Sequence, residues 1–473
     1  MAKNLSQLLQ NSCLKYHDNI LFEYDGTKIT YKQFLLDVIC FASKFDTHFK
    51  NNNNLIFANT SYKWAVAYFA IVISGGVAVL AEANLKADEL NTLCSKYKIK
   101  NVVSEHNFLN EGNDLLFINI NDIKVNISQI SDYKFANMSE ENICTIAFTS
   151  GTTDIAKGIM LSHKNLCCDA YAGCSIYKYE QTDVVLNILP FYHLFGLTCV
   201  LLASLICGNR VILSNVRTFF DDLKTVNPTS LLLVPEIVEF LLLRIQKSGL
   251  QETVGTRLRK ILCGGSHINK ETVNIYRKLG IYISSCYGMT ECSPGIAINP
   301  VEGGRSGTDG LVISCNQVKI SPDDHEILVK GSNVMVGYYN NKELTEKVIV
   351  DGWFHTGDIG FLKDGFLSVI GKIKNLMVFD NGKKVNPEEL EYKFMDCAEI
   401  DEILVYKSSN CIHAKIFSKS FLENSEAYKK ISLKISKVNS ELPYYKRIRK
   451  FEMVQEPFEK TSLNKIKRRN LNE

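Results

Sequence analysis

Apolar and polar positions follow two rhythms along this chain, and the switch between them marks its elements. Short apolar runs bounded by polar or glycine turns predict buried strands at residues 55–58, 77–80, 101–104, 143–148, 184–189, 210–213, 230–234 and 261–263. Between them, apolar residues recur at helical spacing. Residues 64–74 read as a helix, 84–90 open another, and 236–247 carry an apolar face at Val238, Leu241, Leu242 and Ile245. Residues 21–31 read as a hairpin turning at Asp25-Gly26, and Asn51-Asn52-Asn53-Asn54 as a short polar turn. The alternation predicts an α/β protein with parallel sheets, a large N-terminal domain of layered α/β subdomains. From Val312 the pattern turns β-rich, which adds a β-rich subdomain. The charged stretch Lys372-Ile373-Lys374-Asn375 places a boundary between domains 1–371 and 372–473, the second a small α+β domain.

Composition narrows the class. Fifty-four Lys and Arg against 51 Asp and Glu leave a net charge of +3, which argues against a nucleic-acid binder. Fifteen cysteines are scattered without paired Cys-x-x-Cys spacing, so free or buried thiols in a reducing cytoplasm are expected rather than zinc or disulfides. The first residues hold no long apolar run, so no signal peptide is expected. The most apolar stretch, 64–83, changes character at Gly75-Gly76. It reads as a helix followed by a buried strand, not as an integral membrane segment.

The densest chemistry follows the strand at 143–148. Thr149, Ser150, Gly151, Thr152 and Thr153 bring four hydroxyls into five residues, with Lys157 and Gly158 just beyond. Crowded donors, a compact mobile charge and glycines that let an anion approach make a phosphate cradle. The Gly-x4-Gly-Lys spacing of a Walker loop is absent. Taken alone, such a turn reads more readily as an ordinary surface loop.

Five further segments change that balance: Pro190-Phe191-Tyr192-His193-Leu194-Phe195-Gly196; Tyr287-Gly288-Met289-Thr290-Glu291; Trp353-Phe354-His355-Thr356-Gly357-Asp358; Gly371-Lys372 with Asn381-Gly382-Lys383-Lys384-Val385-Asn386-Pro387-Glu388; and Lys460-Thr461-Ser462-Leu463-Asn464-Lys465. In this order the chain resembles the adenylate-forming superfamily of acyl-CoA synthetases, peptide-synthetase adenylation domains and luciferases, over nearly its whole length. The resemblance implies an enzyme, an AMP-forming acid–thiol ligase using ATP, Mg2+ and CoA, with a mobile C-terminal domain.

The resemblance also implies roles, residue by residue. Thr149 to Thr153 and Lys157 would hold the β- and γ-phosphates, Thr290 the α-phosphate, and Glu291 the magnesium ion. Gly265, Tyr287 and Gly288 would line the adenine, and Asp358 with Lys372 the ribose. His193 and Gly264 would border the acid. Lys465 would bridge the carboxylate and the α-phosphate, and Lys374 would lie at the hinge. Read singly, Glu291 could cap a helix, Asp358 could serve a turn, and His193 or Tyr287 could simply be packed in a core.

Three positions depart from the family pattern. Asp154-Ile155-Ala156 replaces a Gly- and Pro-containing cradle, Lys372 stands where Arg is usual, and Asn464 stands where Gly usually precedes the lysine. The chain is also short for a full-length acyl-CoA synthetase. No acid occurs in residues 197–203, where a substrate amine would need a partner, which disfavours α-amino acids. Residues 190–197 resemble those of acyl- and aryl-CoA ligases, and the run 381–388 resembles that of long-chain fatty acyl-CoA synthetases, which implies a hydrophobic, fatty carboxylic acid transferred to CoA. The alternatives are transfer to the phosphopantetheine of an acyl carrier protein, or a catalytically weakened nucleotide-binding homologue.

Overall fold

The computed structural model describes residues 1–107, 115–122, 133–148, 157–394, 397–423, 426–459 and 466. The chain divides into two compact units. The first comprises Met1–Val318, Val329–Phe354 and Asp364–Leu367; the second comprises Lys319–Leu328, His355–Lys363 and Ser368–Glu473. Gly371 and Lys372 both fall in the second unit.

The first unit contains the hairpin of β1 (Ile20–Tyr24) and β2 (Thr27–Thr30). Asp25 and Gly26 take φ of 46° and 75°, the left-handed pair that suits the twist of a two-residue hairpin turn. Next in the chain are β3 (Asn53–Phe57), β4 (Val77–Leu80), β5 (Ile99–Ser104), β6 (Leu116–Asn119), β7 (Ile143–Phe148) and β8 (Gly158–Ser162). With the short strand Gly337–Tyr338 they form a sheet in the order Gly337–Tyr338, β8, β7, β4, β3, β5, β6. Strands β7, β4, β3, β5 and β6 run parallel, whereas β8 pairs antiparallel with β7 and with Gly337–Tyr338. The expected turn at Asn51–Asn54 is shorter than predicted, because Asn53 and Asn54 open β3. Asn54 is fully buried, and its side chain donates to the Phe49 carbonyl and accepts from Asn101 Nδ2. Buried amides are admitted where both ends find partners.

The second sheet of this unit uses β9 (Val184–Asn187), β10 (Arg210–Leu213), β11 (Ser230–Leu233), β12 (Lys260–Cys263), β13 (Tyr282–Gly288), β14 (Gly295–Ile298) and β15 (Gly310–Val312). Their order is β15, β14, β13, β12, β11, β9, β10, β1, β2. Strands β9 to β13 are mutually parallel, so their C-terminal ends share one edge. In open α/β sheets that edge is where ligands bind. The helix Tyr62–Ile73 is buried along its length except at Lys63, with Trp64 stacked on Tyr68 at 5.6 Å. Among the described residues no helix is long and apolar enough to cross a membrane.

In the second unit, strands Glu402–Ser408, Cys411–Phe417 and Ile448–Val454 form a sheet. The helix Glu426–Glu441 buries Ile431, Ile435 and Val438 in a core shared with Val405, Ile412 and Ile416. All fifteen cysteines are free thiols.

Candidate active site

The geometry begins at the ends of β12 and β13, paired in register with Cys263 opposite Ser285. Gly264 follows β12 and donates its N–H to the Leu233 carbonyl at 3.2 Å. A Cβ on Gly264 would lie 2.4 Å from Cys286 Sγ and 3.5 Å from Phe195 Cζ, so no other residue fits unless its neighbours move. Gly265 turns outward with φ of 90° and is exposed. Beyond Cys286, Tyr287 is half-buried and Gly288 is exposed. The chain then folds into the 3-10 turn Thr290–Cys292, with Thr290 half-buried and Glu291 buried.

Glu291 is held by a residue absent from the sequence-derived set. Tyr338 Oη donates to Glu291 Oε1 at 2.9 Å, and the Met335 N–H donates to the Glu291 carbonyl at 2.8 Å. Burial, reinforced by the neighbouring carboxylate, raises the Tyr338 phenol pKa and keeps it a proton donor. Lys157 is exposed, with its Nζ 5.5 Å from the centroid of the same ring. The short strand Gly337–Tyr338 makes this meeting possible, since Tyr338 pairs with Ile159, two residues past Lys157. The sequence signal for Tyr338 was only an aromatic pair after glycine in a β-rich stretch. Gly158, expected to give an anion room, also has a packing reason: a Cβ there would lie 2.3 Å from the ring of Tyr97.

The His193 segment is anchored by Phe191, whose N–H donates to Thr60 Oγ1 at 2.8 Å. His193 is half-buried, with Nε2 4.0 Å from Glu82 Oε1. Burial lowers its pKa, and the Glu82 charge opposes that. The run Leu197–Leu202 is a π-helix, a form often found at functional sites. A buried acid on the helix His163–Tyr177, Asp169, lies close enough for its charge to act on Cys199 of this run. Burial pushes the Asp169 carboxyl up to about 7. It accepts from the Gly295 N–H and from Asn333 Nδ2, both at 2.9 Å. Beyond the ends of β9 and β11 lies an apolar cavity of about 150 Å3 lined by Ile188, Val216, Phe219, Phe220, Ile237 and Phe240, with Glu236.

Asp358 and Lys372 belong to the second unit. Lys372 Nζ contacts Asp358 Oδ1 at 2.6 Å, and Asp358 is buried while the lysine is partly exposed. The Asp358 N–H donates to Thr356 Oγ1. Glu326, another residue the sequence did not single out, accepts from the Gly357 N–H at 2.8 Å and contacts His355 Nδ1 at 2.7 Å. It thereby fixes the strand Trp353–Lys363 next to Asp358. Lys374 is exposed in the 3-10 turn Ile373–Asn375. Thr149, Ser150, Gly151, Thr152, Thr153 and Lys465 lie outside the described residues.

Among the described residues no group of three or more His, Cys, Asp and Glu forms a metal cage. Magnesium carried on a nucleotide needs only one or two carboxylates besides phosphate oxygens, and a buried Glu291 oriented by a phenol fits that pattern.

Comparison with known proteins adds three findings. The profile of the AMP-binding enzyme family matches residues 9–339. A luciferin 4-monooxygenase of Photuris pensylvanica is 31% identical over 294 residues, covering 57% of this chain and 52% of that protein. A long-chain-fatty-acid–CoA ligase of Bacillus subtilis is 24% identical over 531 aligned positions, covering 99% of this chain and 94% of that protein. The chain spans about half the length of the curated relatives it matches, the Bacillus ligase excepted. The o-succinylbenzoate CoA synthetase of Bacillus subtilis, solved with ATP and a magnesium ion, shares the fold. Its TM-score is 0.80 at 21% identity, covering 98% of this chain and 99% of that one.

Proposed function

We propose, from the premise that the chain belongs to the AMP-binding enzyme family, that it is an ATP-dependent acid–thiol ligase acting on a hydrophobic carboxylic acid, with CoA as acceptor. The substrate carboxylate attacks the α-phosphorus of ATP. A C–O–P bond forms, the α–β phosphoanhydride breaks, and pyrophosphate leaves. The CoA thiol then adds to the acyl carbon, losing its proton, and AMP leaves with the C–O bonding pair.

The observation that carries this reading is the meeting of Lys157 and Glu291 on the one phenol of Tyr338. It supports placing a polyphosphate and its counter-ion at the exit of the hydroxyl-rich loop. Thr149 to Thr153 and Lys157 would hold phosphates, and Thr290 the α-phosphate. Glu291 would hold magnesium, which neutralises phosphate charge. Tyr287 and Gly265 border the adenine, and His193 and Gly264 the acid. Asp358 and Lys372 would take the ribose. Lys465 would lower the repulsion between the two reacting anions, and a turn of the C-terminal domain near Lys374 would withdraw it before thiol attack.

The absence of an acid in residues 197–203 supports a substrate without an amine. ATP–pyrophosphate exchange over saturated, aryl, dicarboxylic and α-amino acids tests the reading. Exchange is expected with apolar monocarboxylates and not with amino acids. Measurable ATP binding without exchange for any acid would overturn it, and parallel assays with CoA and a phosphopantetheinylated carrier protein decide the acceptor.

A further inference from the structure

We infer that Tyr338 is a positioning residue for the metal carboxylate, a role that rests on the assignment of Glu291 as the magnesium ligand. Three observations carry it. First, its phenol donates to one oxygen of a buried carboxylate at 2.9 Å, so the group turns about a fixed hydrogen bond rather than freely. Second, the Glu291 main chain is tied to the segment just before Tyr338 through the Met335 N–H at 2.8 Å, which leaves little slack between phenol and carboxylate. Third, the adjoining residues clamp the same segment to the strand leaving the hydroxyl-rich loop: the Val336 N–H donates to the Met160 carbonyl at 2.9 Å and the Tyr339 N–H to the Gly158 carbonyl at 2.8 Å. The loop exit, the lysine over the ring and the carboxylate are thus referred to one side chain. Partners that orient a metal ligand commonly change metal affinity by roughly 10- to 100-fold when removed.

The test measures Mn2+ binding by electron paramagnetic resonance in the presence of α,β-methylene-ATP, which needs neither turnover nor a known acid. Tyr338→Phe keeps the ring and removes the hydroxyl. Its Mn2+ dissociation constant is expected to rise roughly tenfold. Tyr339→Phe, whose hydroxyl accepts instead from Asn53, should bind Mn2+ like the parent. If Glu291→Gln weakens Mn2+ binding and Y338F does not, the positioning role fails while the Glu291 assignment stands. If E291Q binds Mn2+ like the parent, the assignment itself falls and takes this inference with it. The E291Q/Y338F double variant gives an independent reading that tolerates a general loss of stability. A loss no larger than that of E291Q alone supports coupling, and an additive loss refutes it.

Discussion

At the scale of single residues, side-chain type announced several candidates but not what holds them. Glu291 and Asp358 were singled out by the motifs around them, since each taken singly could equally cap a helix or serve a turn. Their holders, Tyr338 and Glu326, lie 47 and 32 positions away in the chain, and nothing local marks either as a partner. Gly264 shows a constraint of the same kind. Its lack of a side chain answers to Cys286 Sγ, contributed by the next strand. Gly264→Ala is expected to cost about 1–3 kcal/mol through overpacking. Adding Cys286→Ala should recover most of that loss. Urea unfolding midpoints of the single and double variants measure both effects, and no recovery would mean that backbone, not the thiol, sets the limit.

At the scale of elements, strands were read better than helices. Strands 77–80, 143–148 and 210–213 have the bounds that alternation and turn chemistry predicted, because a buried parallel strand is a short apolar run whatever surrounds it. The helix His163–Tyr177 escaped notice because it is enclosed, burying His163, Asn165 and Asp169 along with Leu166 and Cys167, so it shows no clear apolar face. Two of its buried titratable groups, His163 and Asp169, pull stability in opposite directions with pH. His163 accepts from the Leu5 N–H at 3.3 Å, and burial lowers its pKa to about 4. Its contribution is complete above the ordinary histidine value of about 6.5 and is lost as pH falls toward 4. Asp169 is raised to about 7, so its protonated form favours the fold at low pH, and that contribution is lost as pH rises from about 3.8 to 7. Asp169→Asn keeps a carbonyl for both hydrogen bonds and cannot ionise. Its stability relative to the parent should be equal near pH 4 and should grow to at most about 4 kcal/mol by pH 7. Urea unfolding across that range checks it, and a pH-independent difference would contradict a buried ionisation.

At the scale of the whole molecule, the proposed chemistry rests most heavily on Lys465. Lys465→Ala is expected to lower pyrophosphate exchange by roughly 100-fold or more, the loss seen when a preorganised transition-state donor is removed. Thiolysis of supplied acyl-adenylate should be largely spared, and rapid-quench assays of each half-reaction separate the two. Equal loss of both would remove the assigned role. The sequence alone determined the α/β class, most strands and the free-thiol chemistry, since these follow from short-range patterning and residue type, and it marked the candidate charged groups through ordered motifs that resemble a known family. The folded chain alone decided that Lys372 pairs with Asp358, that Glu291 rests on Tyr338, and that the buried Asp169 accepts from Gly295 and Asn333. The reason is physical. A hydrogen bond needs two groups within about 3 Å, and for residues far apart in the chain only the order and register of the strands bring them that close.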